Sequence, residues 1–147
     1  APLAFSRRLT FADDHIDVIL DITALAPVNL RELRESFPFY ANDRMLRAFD
    51  AEGRETAAFD ARKGGPETLD LKAFQIVDKN GGGATIVFEE SMRAATTERA
   101  DRGGRLHVDV RSLQVALPHD LEVGERVQFR YRVVPHRGPL DVKTLME

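Results

Sequence analysis

Runs in which every second side chain is apolar dominate this chain, and they leave few folds open to it. In Asp14-His15-Ile16-Asp17-Val18-Ile19-Leu20-Asp21-Ile22, the residues Ile16, Val18, Leu20 and Ile22 share one side, while Asp17, Ile19 and Asp21 share the other. Successive side chains of an extended strand point to opposite faces, so a two-residue period reads as a strand with one buried and one wet face. The last third repeats the pattern. Leu106, Val108 and Val110 alternate with His107, Asp109 and Arg111, and Val127, Phe129, Tyr131 and Val133 alternate with Arg126, Gln128, Arg130 and Arg132. Phe5 to Phe11 reads as a further strand, turned into the next one around Asp13-Asp14.

Turn chemistry divides these runs. Arg44 to Phe49 and Glu55 to Asp60 flank Asp50-Ala51-Glu52-Gly53, where a glycine suits the left-handed position of a bulged hairpin loop. Phe74 to Val77 and Ala84 to Glu89 enclose a loop containing Asn80-Gly81, a strong hairpin signal. Ala61 to Asp70 and Thr96 to Gly104 read as polar loops, and Leu117 to Asp120 and Val123 to Glu125 as turns. Pro27 to Ser36 breaks the alternation. Asn29 is a fitting cap, Leu30 and Leu33 stand three apart, and Glu32 and Glu35 lie early, where a helix dipole favours anions. One or two helical turns are expected here, and at most one short helix near residues 29–36 in the whole chain. Eight to ten short strands with turns between them predict an all-β fold, an antiparallel β-sandwich of immunoglobulin-like or jelly-roll-like kind. Residues 1–135 are expected to form this single domain, and 136–147 a peripheral or disordered tail.

The 147 residues are enough for one core. With 43% hydrophobic and 31% charged residues, the composition is that of an ordered globular domain. No apolar run approaches the roughly 20 residues that a membrane-spanning helix needs. A net charge of −3 gives no general attraction for nucleic acid, so any anion site must be local. The absence of cysteine removes disulfides, thiolate nucleophiles and most structural zinc sites. The chain opens Ala1-Pro2-Leu3, without Met or an apolar leader, as expected of a processed chain or, the reading favoured here, a piece of a longer one.

Several constellations are candidates for chemistry. Asp13, Asp14, His15 and Asp17 offer oxygens for a hard cation, but their spacing matches no calcium loop and a solvated turn explains them equally. His107 and Asp109 share a strand face, suitable for orienting a proton transfer and equally for an ordinary polar face. Glu89 and Glu90 are adjacent and so point apart, unlike a facing carboxylate pair. Ser91 and Ser112 lack the glycine-rich elbow that exposes a nucleophile, and Gly81-Gly82-Gly83 lies in a hairpin rather than before a helix. His119 and His136 are expected in exposed turns. The row Arg126, Arg130, Arg132 is the most suggestive feature, because guanidinium groups hold carboxylate or sulfate through paired donors. The same row can pair internally with Asp17 and Asp21, which project from the outer face of another strand. Tyr40, in Phe37-Pro38-Phe39-Tyr40, is a candidate stacking platform for a sugar ring.

The closing stretch Leu117-Pro118-His119-Asp120-Leu121-Glu122-Val123-Gly124-Glu125, followed by Val127 to Val133, resembles the last strands of β-sandwich domains attached to carbohydrate-active enzymes, including galactose-mutarotase-like sandwiches. The resemblance implies a sandwich in an accessory role and assigns no site residues. The expected function is a non-catalytic accessory or assembly domain of a larger, extracytoplasmic protein, periplasmic or secreted. Its expected partners are the remainder of a longer chain or another protein, with no nucleic acid and no membrane span. One alternative is a carbohydrate-binding module in which Arg126, Arg130, Arg132 and Tyr40 hold an acidic polysaccharide. Another is a small hydrolase or lyase assembled from distant residues such as His107 and Asp109. No cofactor, metal ligand or catalytic residue is predicted.

Overall fold

The computed structural model describes residues 2–29, 32–63, 65–97 and 110–146, and its strands are antiparallel. Strands β1 (Leu3–Phe11) and β2 (Ile16–Ala24) pair along their whole length, closed by a 2.9 Å bond from the Ala12 N–H to the His15 carbonyl. Val18, Leu20, Ile22 and Ala24 are buried, on the face that the alternation predicts. A two-residue β3 (Val28–Asn29) later pairs with β10 (Asp120–Leu121).

Strand β4 (Leu33–Tyr40) occupies much of the stretch where a helix was expected. That expectation is corrected for Leu33 to Ser36, while residues 30 and 31 lie outside the described set. The physical reason is periodicity over distance. Leu30 and Leu33 make one helical spacing, whereas Leu33, Glu35, Phe37 and Phe39 continue at period two, and β9 (Val110–Leu117) pairs with all eight residues of the strand. Tertiary pairing of this kind overrides a weak local helix preference. Pro38 is tolerated because β4 is an edge strand with no neighbour beyond it among the described residues.

The expected hairpins form. β5 (Met45–Phe49) and β6 (Glu55–Asp60) pair with a register shift between Ala48 and Phe49, and Gly53 takes φ 76°. The Asp50 carboxylate accepts hydrogen bonds from the Glu52 and Arg54 N–H groups, which hold its pKa below the ordinary 3.8. β7 (Leu69–Val77) and β8 (Gly83–Thr97) close around a similar Asp78 turn.

The order in the main sheet is β1-β2-β11-β8-β7-β5-β6, where β11 is Arg126–His136. β8 runs further than the alternation signals and serves two layers. Its first part, Gly83 to Phe88, lies between β7 and β11, and its last part, Ala94 to Thr97, pairs with β9. Opposite the short step from Leu71 to Ala73, it advances from Met92 back to Val87. This irregularity turns the strand around a corner and brings the β4–β9 pair over the main sheet, as in a sandwich. Phe37 of β4 is the link between layers. Its ring lies 5.5 Å from Phe74, 5.8 Å from Phe88 and 4.9 Å from Tyr131, in edge-on geometries.

The C-terminal segment, expected as a peripheral or disordered tail, lies back across the outer face of β5, β7 and β8. Val142, in a 3₁₀ turn at Val142–Leu145, is buried with Phe49 and Ala73, and Gln75 Nε2 donates to the Leu140 carbonyl at 3.0 Å. His136 is tied rather than exposed: its Nδ1 lies 2.8 Å from the Gly138 carbonyl and its Nε2 2.9 Å from the buried Thr85 hydroxyl. A carbonyl only accepts, so Nδ1 carries a proton, and in the neutral ring Nε2 accepts from the Thr85 hydroxyl.

Candidate functional site

The C-terminal segment packs on the main sheet's outer face at Phe49 of β5, Ala73 of β7 and Val87 of β8, and on β2 and β11 that face carries mostly charged and polar side chains. Strand pairing decides what stands there. Arg132 is opposite Asp17, Gln128 is opposite Asp21, and Arg126 and Arg130 stand opposite Thr23 and Ile19. All eight side chains occupy non-core positions of a two-residue pattern, and apart from Ile19 they form one polar lattice.

The sequence-predicted arginines are therefore brought together, and so are their anions. Arg126 Nη2 lies 2.7 Å from Asp21 and Arg132 Nε 2.9 Å from Asp17. Arg130 is held more loosely, 3.6 Å from Glu89, and donates to Gln128 Oε1 at 2.8 Å. Asp21 is kept below the ordinary carboxylate range chiefly by the hydrogen bond from Gln128, then by Arg126. Asp17 is lowered chiefly by the hydrogen bond from Arg132. These are solvent-screened cross-strand pairs, which contribute little to stability. An open hollow of about 470 Å³ lies over this lattice, bounded by Thr10, Asp17, Glu89, Arg130, Arg132 and Leu145.

Tyr40 is not part of this surface. It is exposed at the end of β4, in the other layer, and points away from Phe37 and Phe39, which pack on the core. The arginine row and the tyrosine thus lie on opposite outer faces. In the Asp13–Asp17 turn, His15 sits between Asp14 at 2.6 Å and Asp17 at 3.3 Å. Among the described residues no group of three or more His, Asp or Glu is placed to hold a metal ion. His107 and Asp109 lie outside the described residues. Glu89, Glu90 and Ser91 are exposed at the corner of β8.

Two features were not singled out in the sequence. Glu35 is buried at the junction of the layers, where it accepts from Arg7 Nη2 at 2.5 Å and from the Tyr131 hydroxyl at 3.4 Å. Burial first, and the Glu35 charge second, push the Tyr131 pKa up to about 12. The signal for Glu35 is the period-two run through Leu33, Glu35 and Phe37, which the helix-like spacing of Leu30 and Leu33 obscures. The second feature is β1 itself. Phe5, Leu9 and Phe11 stand opposite Ile22, Val18 and Ile16, on the core-side face. They nevertheless remain 60%, 47% and 72% exposed, because the β4–β9 layer does not reach over them. Among the described residues, Arg7 ties the middle of this strand to the second layer by way of Glu35.

No family model matches the chain, and no curated protein matches it. Solved structures do. A proposed aldose 1-epimerase from Escherichia coli K12 superposes with a TM-score of 0.50 at 14% identity, over 90% of this chain and 60% of that one. A protein from Synechocystis sp. PCC 6803 gives 0.44 at 12% identity, over 91% and 54%. A CBM3a-L domain from the scaffoldin CipA of the Clostridium thermocellum cellulosome gives 0.33 at 13% identity, over 91% and 68%. The first likeness is one of fold, and this chain spans 60% of that protein's length.

Proposed function

We propose that this chain is a non-catalytic accessory domain of a larger, extracytoplasmic protein, and that it works by assembly. The observation that carries the reading is the core-side face of β1. Phe5, Leu9 and Phe11 line up there on one unroofed edge. Apolar residues aligned on a sheet edge mark a contact surface rather than a wet one. The arginine row supports the same reading from the other side, since Arg126 and Arg132 are spent on Asp21 and Asp17. A photo-reactive phenylalanine analogue placed at Phe11, in the protein expressed in its own host, tests the reading. It should yield a discrete protein adduct, whereas the same group at Arg130 should not. No adduct at Phe11 would refute assembly through this face.

A second reading has its own observation. Arg130 is the loosest member of the row and borders the 470 Å³ hollow, the arrangement that a carboxylate or sulfate of an acidic polysaccharide would use. The E. coli protein of similar fold bears the name of a sugar epimerase, which fits a carbohydrate setting. Affinity electrophoresis through a gel containing a polyuronate checks it. Retardation that Arg130→Glu abolishes, with the fold intact, supports the glycan site, and no retardation removes it.

A further inference from the structure

We propose that the partner at β1 is a second copy of this chain, joined by antiparallel β1–β1 pairing about a two-fold axis through Arg7. The inference rests on the assembly reading and names its occupant. Three observations carry it.

The first is the state of the backbone. Ala12 donates to His15, and Leu25 donates to Pro2. Hydrogen-bonded and non-bonded pairs alternate along an antiparallel ladder. The even-numbered residues of β1 therefore spend their N–H and C=O groups on β2. Those of Leu3, Phe5, Arg7, Leu9 and Phe11 point outward from the edge, and no described strand pairs with them. The sheet's other edge, β6, carries Glu55 and Asp60, charges that discourage a further strand. β1 carries no acidic residue.

The second is register. A two-fold axis perpendicular to the sheet keeps the core-side faces of both copies on one side and sets odd residues opposite odd ones. Centred on Arg7, it pairs the strand over its full length, with Leu3 opposite Phe11 and Phe5 opposite Leu9. Each exposed apolar residue then meets an apolar residue of the partner, the kind of cross-strand pair that stabilises sheets. On the other face Ala4 meets Thr10 and Ser6 meets Arg8, with no like charges opposed.

The third is charge. The one unfavourable pair is Arg7 opposite the partner's Arg7. Each guanidinium is already bound to its own Glu35 at 2.5 Å, so two ion pairs meet rather than two bare cations. A strand about 30 Å long buries on the order of 1,000 Å² in such a pairing, the low end for a specific interface, so a weak dimer is expected.

Sedimentation equilibrium of this chain over a wide concentration range, up to several hundred micromolar, tests the pairing. The weight-average mass should climb from 16.5 kDa towards twice that value. Phe5→Lys with Leu9→Lys sets lysines opposite each other across the axis and should hold the mass at one chain at every concentration. Phe5→Lys with Leu9→Glu sets Lys opposite Glu and should restore the rise. Both positions are largely exposed, and far-UV circular dichroism checks that each variant is folded. A wild-type chain that stays monomeric throughout overturns the proposal. So does association that survives the double-lysine change, or a Lys/Glu variant no better than the double-lysine one. If the Phe11 cross-link gives an adduct with a different protein while the chain stays monomeric, the assembly reading stands and the second copy is ruled out as its partner.

Discussion

Replacing one phenylalanine by alanine at two places should give two very different costs. Phe88 is 1% exposed and has four ring neighbours, Phe37, Phe74, Phe129 and Tyr131, between 5.5 and 6.4 Å away. A buried aromatic side chain removes about 200 Å² from water, worth about 5 kcal/mol at 25 cal/mol per Å². Alanine keeps a fraction of that and leaves a cavity, so Phe88→Ala should cost about 4 kcal/mol, within the usual range for such truncations. Phe11 is 72% exposed, so roughly a quarter of the same area is at stake and Phe11→Ala should cost about 1 kcal/mol or less. The first change lowers the melting temperature by about 10 °C and the second by about 3 °C or less. Urea unfolding followed by far-UV circular dichroism, on samples dilute enough to be monomeric, measures both. The chain has no Trp, so backbone signal is the better reporter. A cost above about 2 kcal/mol for Phe11→Ala would show the face of β1 to be roofed in solution. A cost below about 1.5 kcal/mol for Phe88→Ala would refute the two-layer packing.

Three further outcomes are expected. A double-mutant cycle of Asp17→Asn and Arg132→Gln should give a coupling below about 1 kcal/mol that shrinks with salt, since both side chains are nearly half exposed. In a Tyr40→Phe background, the ultraviolet titration of Tyr131 should have its midpoint near 12 rather than 10. The folded-state pKa is raised, so this group's contribution is whole below 10 and is lost as pH climbs towards 12; a midpoint near 10 would deny the burial beside Glu35. Gly83→Ala should destabilise by about 2 kcal/mol or more in thermal unfolding, because the added carbon would lie 1.9 Å from the Ile76 carbonyl oxygen.

The strands that show in the sequence are those with one wet and one dry face. β2 and β11 keep strict alternation because their outer sides meet water, and both hairpins are marked by Asp and Gly turns. β8 is hidden because it changes layer partway, so its burial does not keep one period. β4 is hidden because Glu35 occupies a core-side position and Pro38 an edge, both of which disguise a strand. The arginine row and its acidic partners follow from alternation alone. That they pair is a matter of register, which no single strand reveals. The placing of Tyr40 on the opposite outer face depends on how the layers stack. The uncovered face of β1 depends on where the second layer stops, and its own pattern looks like that of any half-buried strand.

The open edge of β1 is tested most directly by residue-resolved amide exchange, first in dilute solution and then at several hundred micromolar. At low concentration the amides of Ala4, Ser6, Arg8 and Thr10, spent on β2, should exchange slowly, and those of Phe5, Arg7, Leu9 and Phe11 rapidly. At high concentration the second set should slow towards the first. Uniform protection of both sets in dilute solution would mean that the edge is already covered, and that result would contradict the account.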